Sequence, residues 1–182
     1  MYLISIYFDE ATNKKIQRYI NLVAEKTGNT FMTDGHVPPH ITISAFETRE
    51  EANAKKVLQE KFSALQKGEL TWCSVGIFFP YVLYLTPVLN EYIHKLSKEI
   101  YECLAEMGGI EISKFYRPFQ WLPHTTVGKK LSKDEMRIAF EILQENFSVF
   151  QGTVTHIGLA RPNPHRDLIC VELKDHERGG HI

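Results

Sequence analysis

Pro39-His40-Ile41-Thr42-Ile43 and Pro123-His124-Thr125-Thr126-Val127 are two copies of one pattern: a proline, a histidine, a threonine two residues on, and a β-branched aliphatic residue. In an extended strand, side chains at i and i+2 share a face, so each histidine stands beside its own threonine while Ile41, Ile43 and Val127 point to the other side. A helix would separate them. Both windows are rich in β-branched residues, and proline disfavours helix for the residue before it and often opens a strand. Thr125 stands where an apolar residue is expected and is the one discordant position of the second copy.

Outward from each copy the same elements recur. Residues 2–8, rich in isoleucine and aromatics, predict a strand, and residues 12–26 a helix with Ile16, Tyr19, Ile20 and Val23 on one face and Gly28 at its end. After the first motif strand, Thr48-Arg49-Glu50-Glu51 reads as a capping box. Val57, Leu58, Phe62 and Leu65 then give the buried stripe of a helix that stops near Gly68. Residues 70–86 hold two apolar strands around Pro80-Tyr81, and Thr86-Pro87 predicts the next helix start, with proline at the first helical position. Leu89, Tyr92, Ile93, Leu96, Ile100 and Leu104 keep helical spacing up to Gly108-Gly109. A polar and aromatic loop leads to the second motif strand. Ser132-Lys133-Asp134-Glu135 is a second capping box, followed by a helix through Met136, Phe140 and Leu143, and strands over 152–159 and 168–173 close the chain.

Each capping box follows its histidine at the same offset, which points to a duplication. The predicted fold is α+β: a single bilobal domain over 1–182, with halves of about 1–79 and 80–175 related by an approximate two-fold axis. Each lobe is an antiparallel sheet with two helices, and the active-site cleft lies between the lobes. The tail 176–182 is polar and glycine-containing and is expected to fray.

With 182 residues, 43% of them hydrophobic, the chain has ample apolar content for a core of its own, and a monomer is expected. A net charge of −1 excludes a broad basic surface for a long nucleic-acid duplex. A small nucleotide or an RNA terminus suits this balance better. No apolar run approaches the ~20 residues of a membrane span, and the N-terminus lacks a secretory pattern, so a cytoplasmic protein without membrane attachment is expected. Cys73, Cys103 and Cys170 lie in apolar stretches without a Cys-x-x-Cys pair and are expected to be buried, reduced thiols.

Near neutral pH one imidazole can accept a proton while a second, protonated, donates one. Two such groups on opposite sides of a phosphodiester suit in-line displacement at phosphorus, with Thr42 and Thr126 donating hydroxyl hydrogen bonds to the non-bridging oxygens. This arrangement requires neither metal nor cofactor. The two motifs, His40 to Ile43 and His124 to Val127, together with the order of elements across nearly the whole chain, resemble the 2H phosphoesterase superfamily. That group includes the 2′-5′ RNA ligase-like proteins and cyclic phosphodiesterases. The resemblance implies metal-independent action on 2′-5′ or 2′,3′-cyclic phosphodiester linkages, with His40 and His124 catalytic and Thr42 and Thr126 binding phosphate. Where many RNA ligase-like members carry an arginine, this chain reads Gly128-Lys129-Lys130, which keeps the charge but not the bidentate fork. Lys129 is the candidate phosphate ligand, against the alternative that both lysines are solvated turn residues.

Other signals are weaker. In Phe115-Tyr116-Arg117-Pro118-Phe119-Gln120-Trp121, Tyr116 and Trp121 are candidates to stack a base, although aromatics beside a proline-bounded loop more often pack inward. Phe78, Phe79, Tyr81 and Tyr84 read as core and hairpin residues, His36 as a loop histidine, His94 as the solvent side of a helix, His156 as a strand residue, and Arg161 and Arg166 as exposed. The rival to an enzyme is a non-catalytic module holding a nucleotide or RNA end in the same cleft. A zinc hydrolase is disfavoured because no third ligand appears at recognisable spacing.

Overall fold

A computed structural model describes residues 1–162 and 165–175. The tail 176–182 lies outside the described residues. Among the described residues, eight strands and five α-helices run in the order β1 (Tyr2–Phe8), α1 (Glu10–Thr27), α2 (Phe31–Asp34), β2 (Ile41–Thr48), α3 (Glu51–Phe62), β3 (Gly68–Phe78), β4 (Val82–Pro87), α4 (Glu91–Glu106), β5 (Ile110–Ile112), β6 (Thr125–Gly128), α5 (Lys133–Asn146), β7 (Phe150–Pro162) and β8 (His165–Glu172). The strands form one antiparallel sheet in the order β5-β2-β1-β7-β3-β4-β6, with β8 also on β7.

The long strand β7 joins the two arms of this sheet. Its first residues pair with β3, from Trp72 opposite Phe150 to Gly68 opposite Val154, and its later residues pair with β1 on one side and β8 on the other. The first motif strand β2 therefore belongs to one arm and the second motif strand β6 to the other. The predicted boundary at 79/80 falls in the turn between β3 and β4, which pair as a hairpin, so strand pairing does not divide at that point. The helices cross over between arms. Helix α1 packs on α5 and on β6, whereas α4 packs on β2 and β5.

Local chemistry accounts for the helices. Asp9 caps α1, accepting from the Thr12 backbone N–H at 3.0 Å and from its hydroxyl at 2.7 Å, and Gly28 ends it at φ 76°. Ile16, Tyr19, Ile20 and Val23 are buried as their spacing predicts. Ser132 and Glu135 form the expected capping box on α5. One apolar cluster runs through both arms and includes Ile4, Ile6, Ile41, Ile43, Trp72 and Val127.

Several expectations are corrected. The Thr48 capping box does not form: the Thr48 hydroxyl accepts from Glu50 N–H only two residues on, while Glu51 accepts from the Tyr2 hydroxyl and from Arg161. Tertiary partners have taken the carboxylate that the box would need. In α3, Val57 is only half-buried, and Ala54, Leu58 and Phe62 carry the stripe. Pro87 does not start α4, because it remains in β4 opposite Trp72. Asn90 is the cap, accepting from Ile93 N–H at 3.0 Å. Residues 110–112, expected as loop, add an edge strand to β2. Phe140 is exposed and Ala139 faces the core instead. Cys73 and Cys170 are exposed and Cys103 half-buried, since Cys73 alternates with buried Trp72 and Cys170 with buried Ile169. An apolar stretch marked the strand but not which face each residue takes.

Candidate functional site

Each motif histidine is the residue immediately before its strand, and its backbone carries it into a local hydrogen bond. Nδ1 of His40 lies 2.9 Å from the carbonyl oxygen of Pro38, and Nδ1 of His124 lies 2.9 Å from that of Leu122. A carbonyl only accepts, so Nδ1 is the donor in both rings, and in the neutral form Nε2 is left as the proton acceptor. The same two-residue loop fixes the same tautomer twice.

A second likeness between the arms appears only in three dimensions. On the strand beside each motif strand is a tyrosine: the Tyr7 ring lies 6.2 Å from that of His40, and the Tyr84 ring 5.4 Å from that of His124. One strand further on, each tyrosine lies over a glycine. A Cβ at Gly158 would come 3.1 Å from the Tyr7 ring and 2.9 Å from the Ile169 carbonyl oxygen, and a Cβ at Gly76 would clash with the Tyr84 ring, 2.6 Å from its Cε2. Only glycine leaves room for the tyrosine in either arm. This recurrence is consistent with the expected duplication.

Thr42 is almost buried, with its hydroxyl 3.4 Å from that of Ser5 and the Tyr116 phenol beside it. Thr126 is half-buried opposite Tyr84. Thr125 is fully buried and accepts from the Trp72 indole N–H at 3.2 Å. Its apparent discordance is thus a packing matter, since a hydroxyl is needed where an apolar side chain would orphan the indole.

Burial lowers the proton affinity of both histidines below the ordinary imidazole value. The carbonyl hydrogen bonds act the other way. His40 is lowered further by the charges of His165, His124 and Lys129. The two motifs, far apart in sheet order, therefore come within electrostatic reach of each other.

The family model described as the 2'-5' RNA ligase superfamily matches residues 12–166. The chain belongs to that superfamily. Solved structures share its fold at low identity. E. coli LigT complexed with 3'-AMP is 16% identical with a TM-score of 0.58, the match covering 94% of this chain and 97% of that chain. A structure described as a phosphoesterase is 16% identical with a TM-score of 0.58, covering 95% and 97%. TT0787 of Thermus thermophilus is 14% identical with a TM-score of 0.62, covering 97% and 99%. No curated protein matches the sequence. Superfamily membership carries a general phosphoesterase-type function, and the α+β antiparallel fold agrees with these structures.

Within the superfamily frame the remaining candidates separate. Lys129 is exposed, with its ammonium 5.8 Å from the Phe31 ring centre, while Lys130 sits closer over Phe31 at 4.4 Å. Tyr116 stands at the site beside Thr42, whereas Trp121 packs half-buried against the core. The aromatic loop does not pack inward as a whole, because Phe115 and Phe119 are exposed. Phe78 and Tyr84 are more than hairpin residues: they stack on each other at 4.3 Å and flank His124 at 4.8 and 5.4 Å. Phe79 and Tyr81 are exposed near the turn. His36 is an exposed loop residue as expected. His94 is half-buried with its ring against Phe119, not on the solvent side. His156 lies in β7 with Nδ1 2.9 Å from the Thr155 hydroxyl. Arg161 and Arg166 are exposed, and Arg161 pairs with Glu51.

Sequence reading missed Tyr7, His165 and Asp167. Asp167 Oδ1 accepts from the Tyr7 hydroxyl at 3.4 Å and lies 3.3 Å from His165 Nε2. The signal available was the spacing of His165 and Asp167, which puts both on one face of β8, although their relation to His40 depends on strand pairing.

Proposed function

We propose that this protein is a metal-independent phosphoesterase of 2′,3′-cyclic phosphate or 2′-5′ phosphodiester bonds in small nucleotides or RNA ends. The observation that carries the reading is the matched pair of imidazoles, each with Nδ1 held by its own backbone carbonyl and Nε2 left for proton transfer. One Nε2 takes a proton from water as the water oxygen bonds to phosphorus. The bond from phosphorus to the ribose oxygen breaks, and the other Nε2, initially protonated, donates its proton to that oxygen. Thr42, Thr126 and Lys129 hold the non-bridging oxygens as charge grows there. Tyr116, beside Thr42, would meet the base or ribose in this reading. The description of E. coli LigT in complex with 3'-AMP, and of the same protein with phosphate, supports a small nucleotide as the ligand class.

The test is incubation of purified protein with 2′,3′-cyclic nucleotides and 2′-5′ dinucleotides in excess chelator, beside His40→Ala and His124→Ala. Each single variant should lose on the order of 10²–10⁴-fold in kcat, the usual worth of a positioned acid or base. Turnover surviving in the double variant, or abolished by chelator in the wild type, would sink the mechanism. Binding without turnover would favour a module that only holds the ligand.

A further inference from the structure

The chain is nearly neutral as a whole, yet just past the second motif strand two ammonium groups are gathered over one ring. Lys130 Nζ lies 4.4 Å and Lys129 Nζ 5.8 Å from the centre of the Phe31 ring, which is 40% exposed. The π-face of the ring attracts both cations but does not take their N–H groups as an oxygen would, so each ammonium keeps its donors. The two like charges repel each other, and among the described residues neither lysine is in an ion pair. The acids on the neighbouring elements are engaged locally: Asp34 accepts from the Thr30 hydroxyl and Glu135 from Ser132 N–H, each at 2.6 Å.

This cluster is held from both sides. The Asn29 side chain accepts from Phe31 N–H and donates to the Lys130 carbonyl oxygen, both at 3.2 Å, so one amide fixes the ring against the lysine turn. On the other side Leu131 is buried, and its N–H donates to the Tyr81 carbonyl oxygen at 3.1 Å. Between these anchors Lys130 takes a left-handed φ of 56°, a conformation that strains a side chain and that asparagine or glycine adopts more readily. A long cationic side chain is therefore kept at a position that local backbone chemistry disfavours.

The cluster is joined to both motifs. Strand β6, which holds Thr126, ends at Gly128, so Lys129 follows Thr126 by three residues, about 10 Å of extended chain. Helix α2, which carries Phe31, packs on β6, and residues 35–39 lead from it to His40. With Lys129 assigned to the phosphate under attack, Lys130 beside it on the same ring is left for an anion one step further along the ligand. We propose that Lys130, positioned by Phe31 and Asn29, binds a second phosphate, the one on the 5′ side of the nucleoside whose 2′,3′-cyclic or 2′-5′ phosphodiester is cleaved. The favoured substrate is then a nucleotide or oligonucleotide end that carries this 5′-phosphate, free or internucleotide, over a nucleoside with the scissile phosphate alone. The inference rests on the phosphoesterase reading given above.

The experiment measures binding to the full chain of adenosine 3′-phosphate, adenosine 3′,5′-bisphosphate and a 3′-phosphorylated adenylate dinucleotide across a range of salt, for wild type, Lys130→Gln, Lys130→Arg and Phe31→Leu. Wild type should bind the ligands with a second phosphate roughly three- to fivefold more tightly than the monophosphate, the worth of one good exposed ion pair. Lys130→Gln should remove most of that gain and reduce the slope of log K against log salt for the dinucleotide by about 0.7, the counterion share of one phosphate contact on a single strand. Lys130→Arg should retain both, and Phe31→Leu, which keeps apolar bulk without the ring, should lose part of the gain. A lysine with a merely structural role would change the affinity of all three ligands alike. A gain in both larger ligands supports recognition of any 5′-phosphate, and a gain confined to the dinucleotide supports the internucleotide phosphate. Equal affinity for the three ligands in wild type, or a gain and salt slope that survive in Lys130→Gln, overturns the inference. Turnover of 2′,3′-cyclic AMP without any gain from a second phosphate rejects this subsite alone, whereas the gain without turnover of any tested ester rejects the phosphoesterase reading and keeps the subsite.

Discussion

An imidazole whose Nδ1–H is tied to a carbonyl two residues back can exchange protons only through Nε2, so the short loops Pro38 to His40 and Leu122 to His124 decide the working atom of each histidine. Burial then decides the pH range. Both rings are shifted below the ordinary value of 6.5. A base must be neutral, so activity rises with pH through the value of the base, and an acid must be protonated, so activity falls through the value of the acid. With both values lowered, the bell in kcat/KM should have its maximum on the acid side of pH 6.5. A steady-state profile peaking above about pH 7 would contradict that placement. At this scale the sequence was legible where the signal is local: His40, Thr42, His124 and Thr126 stand in repeated five-residue windows. Tyr7 and Gly158 lie many residues from each other, and Tyr7 far from the His165–Asp167 pair, and they meet only through β1, β7 and β8, so no single window contains them all.

Among elements, the helices were legible when their caps had no rival. Ser132 and Glu135 serve only α5 and form their box as read, whereas Glu51 is drawn to Tyr2 and Arg161 and leaves α3 without a side-chain cap. Pro87 shows the same competition, with strand pairing to Trp72 overriding a favourable helix start. Asp9 was not read as a cap, and it serves two elements: it binds the first turn of α1 and also accepts from Thr153 N–H of β7 at 2.8 Å. Burial alone would raise its carboxyl, but the hydrogen bonds from Thr12 and Thr153 outweigh it and hold the carboxyl below its usual range. A depressed folded value means the contribution is present above the unfolded value near 3.8 and is lost as pH falls through the folded one. Asp9→Ala should therefore lower stability by roughly 1–2 kcal/mol at pH 7, as cap removal does, with the difference from wild type closing in strong acid. Urea unfolding at both pH values measures this, and a difference independent of pH would show that the carboxylate charge is not the cause.

At the scale of the whole molecule, the arms are bound by three features that no single motif reveals. Strand β7 pairs into both, α1 and α4 each cover strands remote from their own half of the chain, and one apolar cluster passes through the centre. Neither arm can lose β7 without exposing the core of the other, so the free energy of unfolding belongs to the chain as a unit. A scan by calorimetry should show one transition with calorimetric and van't Hoff enthalpies in agreement. Two substitutions probe the arms separately. Thr125→Val removes the acceptor of the buried Trp72 indole in the second arm. Gly158→Ala forces a Cβ against Tyr7 and the Ile169 carbonyl in the first. Each should cost about 1–3 kcal/mol, and both should shift the same transition to lower temperature. A thermogram that splits in two, with Thr125→Val moving one peak and Gly158→Ala the other, would mean that β7 does not couple the arms. The motif histidines would then sit on separately stable units whose relative placement the shared strand does not enforce.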